Sequence, residues 1–268
     1  MLQRNARLLA LLAAMVIGCG DDDGSGAAPL RILVTNDDGV AAEGIDAVVQ
    51  ALLENSLNLV TVCAPDGNRS GTGDNAGPSE LCGDLTVTST TTASGYPATA
   101  INGCPADTVN YALATLYAAD APPHLVISGI NAGQNISFPI ATRISGTVGA
   151  ARTAARLGIP ALAASQGAPG SGGDYDYPSG AAAVLGWLEE HRSELQDDAA
   201  PARVDNINIP SCASGTAIRG TLTGIALAPT ANGIFSAQNC SSTLESPKDD
   251  VEALLNGYVT LSDVPFDD

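Results

Sequence analysis

The 268-residue chain reads as an α/β domain with a mostly parallel sheet. Three observations lead there: short apolar runs alternate with segments of helical periodicity; the polar, glycine-rich stretches fall after the apolar runs; and 45% of the residues are apolar while only 4% are aromatic. That length supports one large core. Its composition calls for a core of Ala, Val, Ile and Leu with helices packed closely on the sheet.

The elements follow in order. Leu30–Thr35 is a buried strand, and Ile45, Val48, Val49, Leu52 and Leu53 then fall on one helical face. Leu59–Ala64 is a second strand, closed by Pro65-Asp66-Gly67, so the first unit is β-α-β with parallel strands and a right-handed crossover. The segment 68–84, rich in Gly, Ser, Asn and Asp, is a loop, and Leu85–Thr92 alternates as a half-exposed strand. A helix is expected over Asp107–Ala118, a strand over Leu125–Ser128 ended by Gly129, and a loop over Gly133–Ile144. Thr147–Leu157 and Ala181–His191 read as helices around a strand at Ala161–Ser165. Asn206–Ile209, Ile218–Ala228 and Tyr258–Leu261 are the remaining strand candidates.

The N-terminus carries a different signal. Arg4 and Arg7 precede the apolar run Leu8–Ile17, which is the length of a signal-peptide core and too short for an ordinary membrane span. The run ends in Val16-Ile17-Gly18-Cys19, which resembles a bacterial lipobox. Residues 1–18 are thus expected to be a lipoprotein signal peptide, Cys19 the acylated N-terminus, 19–29 a flexible tether and 30–268 the folded domain. The tether's Asp21-Asp22-Asp23-Gly24 lacks the downstream ligands of a calcium loop and reads as a solvated spacer. These expectations place the protein in the bacterial cell envelope, anchored to a membrane by lipid.

The formal net charge is −18, and removal of Arg4 and Arg7 would make it −20. A nucleic-acid polymer held by bulk charge is therefore excluded as a partner, whereas a small anion needs a local cation. Of six cysteines, five lie beyond Cys19. Cys82–Cys104 and Cys212–Cys240 are the preferred disulfides, although spacing does not fix connectivity, and Cys63 reads as a buried thiol.

Thr35-Asn36-Asp37-Asp38-Gly39-Val40 is the most telling motif. Two adjacent carboxylates at the end of a buried strand repel and raise each other's pKa, and a divalent cation removes that penalty. Read alone, the pair is equally an Asp-Gly turn with an N-cap. Ser70 and Asn131 also follow strand candidates, so they can meet the Asp pair at one sheet edge, where such folds bind ligands.

Four segments in order resemble the SurE (survival protein E) family of metal-dependent nucleotidases. They are Ile32–Val40 with Gly44-Ile45 behind it, Ala64–Gly71, Val126–Asn135 and Ile144–Ala151, and weaker echoes extend the likeness to about residues 30–264. The resemblance implies a Rossmann-like three-layer domain with a short C-terminal β-rich extension. It implies hydrolysis of nucleoside monophosphates or other small phosphomonoesters. By position, Asp37, Asp38, Ser70 and Asn131 are the implied ligands of Mg²⁺ or Mn²⁺. Asp37 and Asp38 are the catalytic candidates, Asn135, Ser145, Gly146 and Thr147 the phosphate-binding ones, and Arg69 a phosphate or structural partner. An all-oxygen set without His or Cys suits hard cations better than zinc. A homodimer or higher oligomer is also implied. The chain departs from the family pattern in two places. The segment 136–144 is long and lacks acidic residues, and the stretch between Pro210 and Gly257, where the family carries dimer-forming extensions, is short.

Two other readings are weighed against this one. A serine hydrolase built on Ala163-Ala164-Ser165-Gln166-Gly167 lacks the leading glycine of a nucleophile elbow and has only His191 downstream. A non-catalytic phosphate-, nucleotide- or metal-binding lipoprotein on the same fold would keep the Asp pair without turnover. Gly71-x-Gly73 has no strand–helix context for a dinucleotide, and Lys248, the single lysine, sits in no P-loop.

Overall fold

The computed structural model describes residues 28–169, 173–197 and 200–267. The expected signal segment, Cys19 and tether residues 19–27 lie outside the described residues. No described helix is long and apolar enough to cross a membrane.

The elements run β1 (Leu30–Thr35), α1 (Glu43–Leu53), β2 (Asn58–Pro65), β3 (Val87–Thr91), β4 (Pro97–Ile101), α2 (Pro105–Thr115) and β5 (Leu125–Ala132). A π-helical turn (Ile140–Ile144), α3 (Gly146–Arg156), β6 (Ala161–Gln166), α4 (Tyr177–Leu195), β7 (Val204–Ile209), β8 (Thr221–Thr223), α5 (Asp250–Leu255) and β9 (Val259–Asp263) complete the chain. The nine strands among the described residues form one sheet in the order β3-β4-β2-β1-β5-β6-β7-β9-β8. The central six are parallel, β3 and β9 are antiparallel to β4 and β7, and β8 runs parallel to β9.

Strand parity splits the apolar residues between two cores. Ile32 and Val34 of β1, Ile127 of β5 and Leu162 of β6 face α1 and α4, packing with Ile45, Val49, Val184 and Leu188. Leu33, Val126, Ala161 and Ala163 face the other way, against Val109 of α2 and the alanines 150, 151, 154 and 155 of α3. The alanine surface brings α3 close to the sheet, and that closeness sets the depth of its N-terminus. Helices on both faces make the three-layer α/β fold the sequence predicts.

Several boundaries differ from expectation. β5 does not stop at Gly129; it runs to Ala132, with a register shift against β6 between Ser128 and Asn131. The expected strand 218–228 shrinks to Thr221–Thr223, bracketed by Gly220 at φ +136° and Gly224 at φ +65°, which end the extended run on either side. The expected loop 133–144 contains the π-helical turn, and β4 and α5 are additional elements. The C-terminal β-rich part, β8 and β9, extends the main sheet rather than forming a separate one.

Disulfides join Cys82 to Cys104 and Cys212 to Cys240. Cys63 is buried, and burial pushes its thiol up to about 12.

Candidate metal and phosphate site

The sheet reverses its winding between β1 and β5, and ligands of open α/β folds bind beyond the carboxyl ends of strands at such a point. The sequence places Asp37 and Asp38 just past β1, Ser70 in the loop after β2, and Asn131 near the end of β5. Asn36 shapes the first of these loops: its side-chain nitrogen donates to Gly39 O at 2.8 Å, and its oxygen accepts from Gly39 N at 3.1 Å. Gly39 has φ +108°, a conformation suited to glycine, and its neighbour Gly67 leaves no room for a side chain.

Asp37 is buried, and its Oδ1 accepts from the Thr147 hydroxyl at 2.6 Å. Burial, with a smaller push from the Asp38 charge, raises its pKa to about 6 despite the opposing Thr147 bond. Asp38 is raised as well by burial, against a 2.8 Å bond from Ala132 N to its Oδ2. Asn68 links Asp38 to Ser70: its amide nitrogen donates to Asp38 Oδ1 at 3.2 Å, and its oxygen accepts from Ser70 N at 3.0 Å. The amide nitrogen of Asn131 donates to Gly133 O at 2.6 Å, so its oxygen is the atom left to act as a ligand. Asp37, Ser70 and Asn131 line one cavity of about 430 Å³, with Asp38 bonded to its wall at Ala132.

The N-terminus of α3 enters the same cavity. Ser145 caps it, its Oγ accepting from Val148 N at 3.0 Å, while its hydroxyl proton remains to donate. Gly146 is required by contact: a Cβ there would lie 2.9 Å from Asp37 Cβ and 3.0 Å from Asp37 Oδ2. Two expected phosphate ligands have different work. Thr147 is fully buried and spends its hydroxyl on Asp37. Asn135 touches the cavity, but its amide nitrogen donates to Thr147 Oγ1 at 3.2 Å and Ser165 Oγ at 2.9 Å. Its backbone is tied in turn to Asn206 and Asn208. Both side chains thus commit their donors within the protein, Thr147 to Asp37 directly and Asn135 to Thr147. Arg69 is structural: its guanidinium bonds Asp66 and Asn102, and its N–H donates to Asp37 O at 2.6 Å.

Sequence reasoning quoted Asn68 within a motif but gave it no role. Its signal was an Asx residue two positions before Ser70, the pattern of an Asx turn. Gln134 likewise lies within a motif without an assigned role, and Ala168, Tyr175, Ile234 and Phe235, which also line the cavity, fall outside the motifs. Among the described residues lining it there is no Lys, Arg or His. Ser165 is fully buried under Asn135, and the two histidines are engaged elsewhere, His124 with Arg31 N and His191 with Trp187, so the serine-hydrolase reading fails. Cys82, Cys104 and Asp107 form a cluster with metal-ligand proximity, but the disulfide consumes its sulfurs.

Fold and site together define a doubly wound α/β protein with a cavity at its switch point that gathers Asp37, Ser70 and Asn131 oxygens against a helix N-terminus. Residues 32–232 match the family described as Survival protein SurE, and the chain belongs to that family. Relatives named 5'-nucleotidase SurE include those of Methanothrix thermoacetophila, 36% identical over 67% of this chain and 67% of the relative, and Geobacter metallireducens, 38% identical over 68% and 65%. The relative from Methanopyrus kandleri is 44% identical over 51% of this chain and 49% of its own length. The chain thus spans about half to two thirds of the curated relatives it matches. The crystal structure of the SurE protein from Aquifex aeolicus superposes with a TM-score of 0.66 at 26% identity, covering 88% of this chain and 94% of that one.

Proposed function

We propose that this chain is a metal-dependent phosphomonoesterase that hydrolyses nucleoside monophosphates to nucleoside and phosphate. The carrying observation is the buried carboxylate of Asp37, with half-buried Asp38 beside it, at a cavity whose described lining holds no basic side chain. Such a cavity repels a phosphate until a cation is present. The family's nucleotidase relatives supply the substrate class.

The residues fit a hard cation: two carboxylates, a hydroxyl and an amide oxygen whose nitrogen is already committed, with Asp37 held up in pKa by uncompensated burial. Asp37, Asp38, Ser70 and Asn131 would hold Mg²⁺ or Mn²⁺. When bound, the ion neutralises phosphoryl charge and acidifies an attacking water. The chain's own groups do the rest. Thr147 and Asn135 fix the Asp37 carboxylate, leaving its second oxygen to take a proton from the attacking water. Asn68 and Ala132 N–H fix Asp38. The Ser145 hydroxyl and the first turn of α3 steady phosphoryl oxygens as they gain charge.

Phosphate release from nucleoside monophosphates, with EDTA and then with added Mn²⁺ or Mg²⁺, tests this. Metal-restored turnover that is lost in Asp37→Asn is the expected result. A folded, metal-loaded protein that turns over none of them overturns the reading in favour of the binding lipoprotein.

The envelope location and lipid anchor at Cys19 are supported by Arg4, Arg7, the apolar run and the lipobox-like sequence. Radiolabelled palmitate should enter the wild type and not Cys19→Ala; equal labelling or none removes the anchor. A homo-oligomer follows from the family resemblance, and light scattering at the mass of one chain would exclude it.

A further inference from the structure

We infer that Phe235 is the stacking platform for the nucleobase, and so the residue that makes this cavity select nucleotides over other phosphomonoesters. The inference rests on the nucleotidase reading and names the part of the site that would enforce it.

The cavity is much larger than a phosphate group, at about 430 Å³, and its lining has two chemistries. Asp37, Ser70, Asn131 and Ser145 contribute oxygens. Ile144, Ile234 and Phe235 contribute apolar surface to the same wall. Phe235 is 88% exposed, more than any other large apolar side chain described, and Ile144 is 46% exposed. Scattered exposed apolar residues need no explanation, but a contiguous apolar surface beside a polar site marks a ligand.

The segment that carries the ring is anchored on both sides of Phe235, while the ring itself stands exposed. The carbonyl of Ile234, its chain neighbour, accepts from the Gln134 side chain. The oxygen of that side chain accepts from Ala168 N at 2.7 Å. Gln134 lies three residues after Asn131, so the aromatic wall is coupled to the loop that carries a metal ligand. Three residues past Phe235, Gln238 accepts from Ser211 N at 2.6 Å, and the Cys212–Cys240 disulfide closes the segment. An exposed aromatic ring on an anchored segment beside the proposed phosphate site suits the flat face of a base. Every base has such a face, so stacking selects nucleotides as a class without choosing among bases.

The test compares kcat/KM for adenosine 5'-monophosphate and ribose 5-phosphate, the same phosphoryl group without the base. In the wild type the nucleotide should be preferred. Phe235→Ala should lose about fivefold or more of that preference, mainly through KM, and Phe235→Trp should keep it. An unchanged preference in Phe235→Ala, or an equal fall for both substrates, overturns the platform. If the wild type hydrolyses neither compound, the nucleotidase reading falls by itself. The platform is then judged by equilibrium binding of adenosine: weakening of about fivefold in Phe235→Ala upholds it, and equal binding removes it.

Discussion

At the scale of single residues, the ionised Asp37 carries a burial cost that either a proton or a bound cation relieves. Its pKa of about 6 means the folded protein binds this proton more tightly than the unfolded chain, whose Asp titrates near 3.8. Asp37 therefore favours the fold most at acid pH, and that contribution is lost as pH rises from about 4 through about 6. The shift corresponds to about 3 kcal/mol. Denaturant melts in EDTA should accordingly show Asp37→Asn more stable than wild type at pH 7.5, with the gap closing at pH 4, while added Mn²⁺ stabilises the wild type alone. A variant no more stable at pH 7.5 would remove the buried-charge account. Metal affinity should also rise with pH through about 6, because the ligand must be ionised. Thr147→Val removes the hydroxyl that orients this carboxylate and should weaken metal binding about 10- to 100-fold, as calorimetric titration would read. Sequence made Asp37, Asp38, Ser70 and Asn131 legible because each sits in a compact motif at a strand end. That Thr147 and Asn135 turn their side-chain donors inward was not legible, because the direction of a side chain at a helix start is set by how deeply the helix packs, which no motif encodes.

At the scale of elements, α3 matters most. Its alanine face lets it lie close on β5 and β6, and its first turn then abuts Asp37 with no space for a methyl group at Gly146. Gly146→Ala should destabilise the protein by about 1–3 kcal/mol and reduce metal affinity as well, since relieving the contact moves Asp37. A stable variant with full affinity would show that α3 can retreat at little cost. The long periodic helices and the apolar strands β1, β2, β6 and β7 were readable because periodicity and burial agree there. β4, Pro-Ala-Thr-Ala-Ile, has neither alternation nor a strong apolar run, and pairing with β2 and β3 makes it a strand. α5 is a six-residue helix whose Asp250 carboxylate accepts from Ser137 N, Ala228 N and Val251 N, a tertiary arrangement without a local signature.

At the scale of the whole molecule, two disulfides close segments at the edges of the sheet, Cys82–Cys104 around β3 and β4 and Cys212–Cys240 around β8, with sequence separations of 22 and 28 residues. Loops of that size confer about 3 kcal/mol each, so reduction by dithiothreitol should lower the melting temperature markedly, and an unchanged melting curve would mean the bonds only fasten already rigid loops. The charge distribution sets how substrate arrives. The formal charge is −18, and the cavity offers no basic side chain among its described lining. For the proposed phosphomonoester substrate, diffusional encounter would therefore be opposed by the field of the protein, and only the last few ångströms, near the proposed cation, would be attractive. Most enzymes that take phosphates lose association rate as salt is added; this one should gain it. With the cation saturating, kcat/KM should climb as the screening length falls from about 30 Å to about 8 Å between dilute buffer and physiological ionic strength. In such a protein the speed of capture would be governed by the ionic strength of the surrounding medium rather than by its own field.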